Sequence, residues 1–276
     1  MSTTDTPPAS EPTAPATQPS RRRARIVSLL IGLVVAAIAG IVLAIATGSS
    51  TPAVPASFSP SLARTLPARI GDLPLLNEHG QRTTLASFHG RIVVLADFLT
   101  SCQDECPIST GAFLAFERDL RADGLSSKVA VVEVTVDPGR DSVARLAAYE
   151  RYTGVDWTLL TGTPSQLATF WKYFGASYQT VPDLPSDTDA IDWETGKRYT
   201  YDVDHSNNVY LFDATGNERL ITEGLPSIGK TLPPRLRSLL SPLGVDHLDH
   251  PGFGAWTEAD LRDAVGSLLG RSVPAS

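Results

Sequence analysis

The chemistry of this chain centres on its two cysteines, Cys102 and Cys106, which stand four positions apart and are followed by Pro107. Side chains at this spacing face the same side of a helix, so the two sulfur atoms can approach each other if both lie on its first turn. The free N–H groups of a helix N-terminus stabilise thiolates. Two thiolates on one face can chelate a soft metal ion or close into a disulfide.

The segments around the cysteines indicate alternating strands and helices. Residues 92–98 are nearly continuously apolar, as expected of a strand covered on both faces of a sheet, and they lead into the cysteine turn. Apolar residues at helical spacing follow Pro107 and predict a helix that ends near Gly124. Residues 128–136 predict a second buried strand, and a further helix follows the turn at 137–141. The order is that of a βαβα unit.

Further elements extend this pattern towards the C-terminus. Residues 157–160 predict a short strand, and Thr163 predicts the cap of a helix that reaches Phe174. Residues 208–212 and 218–222 predict an antiparallel hairpin, because two apolar runs are separated by turn residues.

Two segments have no clear periodicity. Residues 178–199 predict a long loop or a hairpin insertion, and residues 223–256 predict irregular surface. A final helix begins after the cap Thr257. Together these elements predict an α/β thioredoxin-like fold, a central mixed sheet flanked by helices, with the cysteines at the end of the first central strand.

His205 is a third candidate ligand because it lies just before the strand at 208–212. A thioredoxin-like fold brings the loop before this strand beside the cysteine turn. Thiol–disulfide enzymes of this fold usually hold a cis-proline in that loop, whereas no proline occurs here between Pro185 and Pro226. We therefore expect a metal ligand where substrate recognition would otherwise lie.

Other candidates are weaker. Asp137 is either an oxygen ligand near the metal or its outer shell, or only a turn residue beside Pro138, and both interpretations stay open. The pair His247 and His250 suggests a second metal site, but this spacing is common in loops and no third ligand is near, so we do not expect one. The remaining histidines are expected to be solvated in turns: His79 and His89.

The N-terminal part has the composition of a membrane anchor. Residues 1–25 predict a disordered tail with a basic cluster, residues 26–47 a transmembrane helix, residues 48–67 a linker rich in proline, alanine and serine, and residues 68–276 the thioredoxin-like domain. Arginines next to a span stay in the cytoplasm. The expected location is therefore the cell membrane, single-pass, with a cytoplasmic N-terminus and an extracytoplasmic C-terminal domain. A signal peptide cleaved after Ala46 is the alternative.

Charge and composition exclude several classes of function. The formal net charge is −7, and this acidic balance argues against a nucleic-acid partner, whose phosphates demand a basic surface. The sole methionine is Met1, which excludes the methionine-rich type of copper carrier. Any soft ligand must be one of the two cysteine sulfurs.

The motifs together resemble the Sco/SenC family of membrane-anchored, thioredoxin-fold proteins that bind copper and assist the assembly of cytochrome c oxidase. The similarity covers roughly Ile70 to Asp213 and the last helix, and its motifs in chain order are Cys102-x-x-x-Cys106-Pro107, Thr135-Val136-Asp137-Pro138 with Arg140-Asp141, Leu160-Thr161-Gly162, Phe174-Gly175 before Tyr178, and Asp204-His205-Ser206 ahead of Tyr210-Leu211.

The resemblance implies that Cys102, Cys106 and His205 are copper ligands. The chain departs from the family pattern between the cysteines, where Gln103 stands at a position that is often proline and an acidic Glu105 precedes the second cysteine. We therefore expect the redox potential or the choice of partner to differ from the family pattern.

The leading hypothesis is a membrane-anchored copper chaperone that delivers Cu(I) or Cu(II) to the copper-site subunit of a cytochrome c oxidase. Its redox pair, Cys102 and Cys106, would control metal binding by closing a disulfide, and a thioredoxin-like protein is the expected reductant. One alternative is an enzyme, a thiol–disulfide reductase that keeps the cysteines of the oxidase copper site reduced. Another is a peroxide-reducing or signalling relative, against which the acidic residues Asp104 and Glu105 argue.

Overall fold

The computed structural model describes residues 30–35, 38, 51–61, 64–182, 190–229, 231–252 and 255–276. The predicted tail at 1–25 and most of the predicted anchor at 26–47 lie outside these residues. Within the part described, residues 30–35 are helical with exposed side chains, and no helix is long and apolar enough to cross a membrane. Residues 50–276 form one compact unit, which contains both cysteines.

A mixed eight-stranded sheet is the centre of this unit. Its strands are β1 (Ser59–Pro60), β2 (Leu75–Asn77), β3 (Arg82–Thr83), β4 (Ile92–Phe98), β5 (Val129–Thr135), β6 (Thr158–Thr161), β9 (Asn208–Phe212) and β10 (Glu218–Glu223), in the spatial order β1-β10-β9-β4-β5-β6-β2-β3. β4, β5 and β6 run parallel, and β9 is antiparallel to β4. Every residue of β4 and β5 is buried, so both faces of the sheet centre are covered.

Helices surround the sheet. They are α1 (Ala68–Gly71), α2 (Cys106–Ala122), α3 (Val143–Thr153), α4 (Pro164–Phe174), α5 (Pro234–Arg237), α6 (Pro242–Asp249) and α7 (Glu258–Leu269). Their ends follow local chemistry, since Thr163 caps α4 and Thr257 caps α7, each in a reciprocal capping box. α2 packs against α5 and α7. The arrangement is the predicted thioredoxin-like α/β fold.

Residues 178–199, predicted as a long loop or a hairpin insertion, contain the first strand of a β-hairpin. β7 (Tyr178–Pro182) pairs antiparallel with β8 (Tyr201–His205) in a separate two-stranded sheet. Among the described residues of the connection, Ile191 and Arg198 form an isolated antiparallel β-bridge. The hairpin is important for the site because its second strand ends at His205.

The prediction of irregular surface for residues 223–256 is wrong. This stretch contains the end of β10 and the two short helices α5 and α6. Five of its apolar side chains are buried in the core: Leu232, Leu236, Leu239, Leu248 and Trp256. The helices are too short, at four and eight residues, for helical periodicity to be visible.

Part of the predicted linker at 48–67 is built into the domain. The side chain of Phe58 is buried, and its ring meets that of Trp256 edge-on with centroids 6.5 Å apart. β1 pairs with β10 at the edge of the sheet. Proline is tolerated on an edge strand, so the prolines of this segment do not prevent pairing.

Candidate metal centre

The two cysteines lie where β4 passes into α2, as the sequence predicts, but they do not share the first turn of the helix. α2 begins at Cys106, and Cys102 lies in the turn before it. The sulfur of Cys102 accepts hydrogen bonds from the backbone N–H groups of Cys106, at 3.2 Å, and Glu105, at 3.4 Å. The helix N-terminus therefore stabilises a thiolate at Cys102.

His205 reaches the cysteines through the pairing of two strands. It is the last residue of β8, and the next strand, β9, pairs with β4 directly before the cysteine turn. Its Nε2 atom lies 3.8 Å from the sulfur of Cys106. One ligand atom from each of Cys102, Cys106 and His205 lies within 4.8 Å of the others, and no other such group occurs among the described residues.

Asp97 is the residue that the sequence reasoning missed. Its Oδ2 atom lies 2.8 Å from Nδ1 of His205, and its Oδ1 atom accepts the backbone N–H of Asn208 at 2.9 Å. The carbonyl oxygen of Ser206 lies 2.6 Å from the same imidazole nitrogen. These contacts turn the other nitrogen, Nε2, towards the sulfurs. The available signal was one charged residue in the apolar run of β4.

The two cysteines differ in acidity. The hydrogen bond from the Cys106 side chain, supported by His205, holds the pKa of Cys102 well below that of an ordinary thiol and outweighs the effect of burial. Burial raises the pKa of Cys106 well above its usual value, and the neighbouring Cys102 sulfur adds to this effect. These opposite shifts favour a thiolate at Cys102 and a thiol at Cys106.

The surroundings of His205 favour the charged form of its imidazole. Burial alone would lower the pKa of His205, but the hydrogen bond to Asp97 and the thiolate of Cys102 raise it well above its usual value. Burial also raises the pKa of Asp104 and Glu105, and the Cys102 thiolate raises each further. The thiolate form of Cys102 is favoured despite its acidic neighbours, because the Cys106 side chain, His205 and the backbone N–H of Cys106 stabilise it.

A buried polar cluster holds the backbone just before Cys102. The carboxylate of Asp141 accepts hydrogen bonds from the backbone N–H and the hydroxyl of Thr100 and from the hydroxyl of Thr135. Thr100 also accepts a hydrogen bond from Arg145 Nε at 2.9 Å. All four side chains are buried, so the turn leaves the sheet from a fixed point.

The connection between β7 and β8 covers this cluster from outside. Trp193 Nε1 donates to the carbonyl oxygen of Thr100 at 2.7 Å. The guanidinium of Arg145 lies 4.2 Å from the Trp193 ring centroid and forms ion pairs with Asp192 and Glu194. The hairpin thus both carries His205 and closes over the start of the cysteine turn.

Asp137 has a role different from metal ligation. It forms an ion pair with Arg140 and accepts a hydrogen bond from the Tyr201 hydroxyl at 3.0 Å. Arg140 Nη1 donates to the carbonyl oxygen of Tyr201 at 2.8 Å. These contacts tie the first residue of β8 to the end of β5 and favour the interpretation of Asp137 as a turn residue.

The other histidines do not assemble a second site among the described residues. His250 pairs with Asp246 at 3.1 Å on the surface of α6. His247 Nδ1 lies 3.7 Å from Glu105 Oε1, next to the cysteine turn but outside the ligand group. His79 is more than half exposed, as expected of a solvated histidine.

A search against models of protein families matches residues 64–227 to SCO1/SenC, which is more than half of the chain. The chain belongs to the SCO1/SenC family. The matched range includes β4, the cysteine turn and His205, and it ends before α5, α6 and α7. The resemblance drawn from the motifs is thereby confirmed.

Curated relatives support the family assignment. Over 146 residues, 53% of this chain, it is 32% identical to the mitochondrial protein SCO2 homolog of Mus musculus and covers 52% of that protein. It is 28% identical to protein sco1 of Schizosaccharomyces pombe over 146 residues, 53% of this chain and 51% of that protein. The chain thus spans about half the length of these SCO1/SenC relatives.

Solved structures are similar at a lower level. ScoI of Arabidopsis thaliana with copper bound shares 24% identity with a TM-score of 0.46, over 54% of this chain and 84% of that chain. ScoI of Bradyrhizobium japonicum with copper bound shares 22% identity with a TM-score of 0.45, over 63% of this chain and 93% of that chain. The SCO1/SenC assignment does not depend on them.

Proposed function

We propose that this protein is a copper metallochaperone whose cargo ion is held by Cys102, Cys106 and His205. The observation that carries the proposal is the convergence of these three side chains within 4.8 Å from three separate elements. Two thiolates and one imidazole form a donor set that suits soft Cu(I), while Cu(II) accepts the same set with an added oxygen. Copper bound to named SCO1/SenC-type proteins agrees with this choice of metal.

The side chains around the ligands prepare them for metal. Asp97 and the Ser206 carbonyl occupy Nδ1 of His205 and leave Nε2 for the ion. Binding requires the Cys106 thiol and the His205 imidazolium to lose their protons, so copper competes with protons at both ligands. Cys102 is already prepared as a thiolate by the N–H groups of Glu105 and Cys106.

The protein is proposed to act at a membrane. The basic cluster before residue 26 and the long uncharged run at 26–47 support a single-pass anchor with a cytoplasmic N-terminus and an extracytoplasmic domain. Its partner would be the copper-site subunit of a cytochrome c oxidase, which receives copper by exchange of ligands. Family membership is the support for this recipient.

The same cysteines would switch the site between loaded and empty forms. When an oxidised disulfide of a partner accepts two electrons from the pair, the sulfurs of Cys102 and Cys106 join, the Cys106 proton leaves, and no thiolate remains for copper. A thioredoxin-like reductant would return two electrons, and with one proton these would restore the Cys102 thiolate and the Cys106 thiol. Export from the reducing cytosol would make both states accessible.

The decisive experiment is an anaerobic Cu(I) titration of the reduced full chain in competition with a Cu(I) chelator. We expect one tightly bound copper per chain, and losses of at least about 100-fold in affinity for Cys102→Ser, Cys106→Ser and His205→Ala, larger than is typical of outer-shell changes. His79→Ala is the matched histidine control and should bind as the wild type does. Full affinity in any ligand variant would remove that residue from the site.

The thiol–disulfide reductase gives a different result in the same experiment. It would reduce a disulfide substrate rapidly without binding copper tightly, and it would tolerate His205→Ala. Transfer is tested next, by mixing the copper-loaded chain with the copper-site domain of an oxidase subunit. Copper that stays on the chain would contradict the chaperone role while leaving the binding site intact.

A further inference from the structure

Residues 228–252 form what we term the C-terminal extension, and they lie beyond the family-matched range. The extension contains α5 and α6 and buries Leu232, Leu236 and Leu248 in the core. Its contact with α2 is close, because a Cβ atom added at Gly111 would lie 2.6 Å from Leu232 Cδ1. The extension is therefore part of the packed domain.

α6 begins against the cysteine turn. The backbone N–H of Ser241 donates to the carbonyl oxygen of Gln103 at 2.8 Å, and its hydroxyl donates to the carboxylate of Asp104. The same hydroxyl accepts the N–H of Gly244 at 3.0 Å and caps α6. One residue thus starts the helix and holds two residues of the turn.

Gly244 allows this contact because it has no side chain. A Cβ atom there would lie 2.4 Å from the carbonyl oxygen of Gln103 and 2.9 Å from the Cα atom of Asp104. Both neighbours are backbone atoms of the turn and cannot rotate away. Any larger residue must push α6 and the cysteine turn apart.

The turn itself has few internal restraints. Gln103, Asp104 and Glu105 belong to no helix or strand, and no proline ring fixes the backbone between the cysteines. Yet the thiolate of Cys102 depends on the direction of the N–H groups of Glu105 and Cys106. The position of this sulfur therefore depends on what holds the turn from outside.

We propose that Ser241 and Gly244 are positioning residues of the metal centre, through which the C-terminal extension fixes the turn that carries Cys102. This inference rests on the proposed copper function but names residues that act on the ligand without touching the metal. A turn held in its reduced, open form offers both sulfurs to the ion. Release of the turn disperses Cys102 over many positions and lowers affinity.

The first test compares Ser241→Ala, Ser241→Thr and Thr163→Ala in the full chain. Ser241→Ala removes a helix cap that touches the turn, whereas Thr163→Ala removes the cap of α4, which does not contact the turn. Both should lower Tm to a similar extent. Only Ser241→Ala should weaken Cu(I) binding, by about tenfold, the scale of a lost outer-shell contact. Ser241→Thr keeps the hydroxyl and should restore affinity.

A second pair of variants distinguishes a local effect on the cysteine turn from a general loss of stability. Gly244→Ala and Gly266→Ala each place a methyl group against a backbone oxygen, of Gln103 at 2.4 Å and of Arg271 at 2.7 Å. Gly266 lies in α7, away from the cysteine turn. We expect only Gly244→Ala to lower copper affinity and to alter the thiolate-to-Cu(II) charge-transfer absorption.

A measurement without copper separates this inference from the proposed function. The chain is equilibrated with reduced and oxidised dithiothreitol, and the Cys102–Cys106 disulfide is quantified. Because the contact of the Ser241 hydroxyl with Asp104 holds the turn in its reduced form, Ser241→Ala should favour the disulfide about tenfold, which lowers the midpoint potential by about 30 mV. An unchanged potential together with unchanged copper affinity overturns the positioning role. If the wild type fails to bind copper while the potential shifts as expected, the copper function fails and the positioning role stands.

Discussion

His205 and Cys102 offer ligand atoms to the same small site, yet the groups that hold them differ in depth. His205 rests on Asp97, whose side chain is completely buried in β4. Cys102 lies in a turn that is hydrogen-bonded to the half-buried Ser241 of the C-terminal extension. We term these the inner half, comprising Asp97, Thr100, Asp141 and His205, and the outer half, comprising Gln103, Asp104, Glu105 and their contacts.

The difference teaches how stability and metal affinity are distributed. The inner half consists of buried polar groups whose partners lie on β4, β5, β8, β9 and α3, so the loss of one of these groups leaves unpaired groups in the core. The outer half is partly exposed, and water can replace its lost partners. Changes in the inner half should therefore lower the free energy of unfolding more than changes in the outer half, whose main effect should be on metal affinity.

The largest effect is expected for Asp141→Ala in the inner half. The change leaves the N–H and hydroxyl of Thr100 and the hydroxyl of Thr135 without their acceptor. We expect the free energy of unfolding to fall by about 3 kcal/mol or more in urea denaturation. Asp156→Ala, at an exposed ion pair with Arg121, is the control and should change it by less than about 1 kcal/mol. An equal fall in the free energy of unfolding for the two variants would show that the buried cluster contributes no more than an exposed ion pair.

Glu133→Gln tests whether a buried carboxyl group on β5 makes the stability of the protein depend on pH. Glu133 lies on β5 and accepts the Trp157 indole N–H at 2.7 Å, and burial raises its pKa to about 7. Since the folded protein favours the protonated form, its contribution is complete below the unfolded pKa near 4.5 and is lost as pH rises through 7. The wild type should lose on the order of 3 kcal/mol from this group between pH 4 and 8.

The glutamine variant should lack this part of the pH dependence. The measurement is urea unfolding at several pH values for both proteins, taken as a difference so that other buried acids cancel. Parallel stability curves would show that Glu133 carries no shifted pKa and would contradict the buried charge.

Asp97→Asn separates positioning from folding within the inner half. The substitution keeps the size of the side chain but removes the negative charge beside His205 Nδ1. We expect Cu(I) affinity to fall about 10–100-fold in chelator competition, because the imidazole loses its orienting partner. Asp213→Asn, at the opposite end of β9, is the control and should bind copper normally. Unchanged affinity in Asp97→Asn would show that Ser206 alone orients the ring.

The smallest effect is expected for His247→Ala in the outer half. His247 Nδ1 lies 3.7 Å from Glu105 Oε1, and both side chains are about a quarter to a third exposed. Such a pair contributes less than about 1 kcal/mol, so copper affinity should change by less than about fivefold. A loss as large as that of His205→Ala would make His247 a ligand and break the division into two halves.

Local patterns predicted most of the central sheet and its helices. The apolar runs at 92–98 and 128–136 correspond to β4 and β5, because strands covered on both faces need apolar residues throughout. The cap at Thr163 begins α4 because the cap and its partner Gln166 are three residues apart. These signals are contiguous in the chain and can be read without its tertiary structure.

Local patterns failed for two parts of the chain whose structure depends on packing against distant elements. The stretch 223–256 is predicted from the sequence to be irregular surface, but Leu236 and Trp256 within it are buried by contacts with distant elements. Its helices are short and begin at prolines, so no amphipathic stripe develops. Asp97 was missed because a single carboxylate in an apolar strand does not indicate its partner, His205, which is distant in the sequence.

The sequence by itself determined the types and spacing of the ligands, since Cys102 and Cys106 are four residues apart and His205 directly precedes a predicted strand. Only the tertiary structure decided what holds them. The contact of Asp97 with His205 spans 108 residues, and that of Ser241 with Asp104 spans 137. Local periodicity reports which face of an element is buried, whereas the meeting of two distant side chains depends on how all elements pack together.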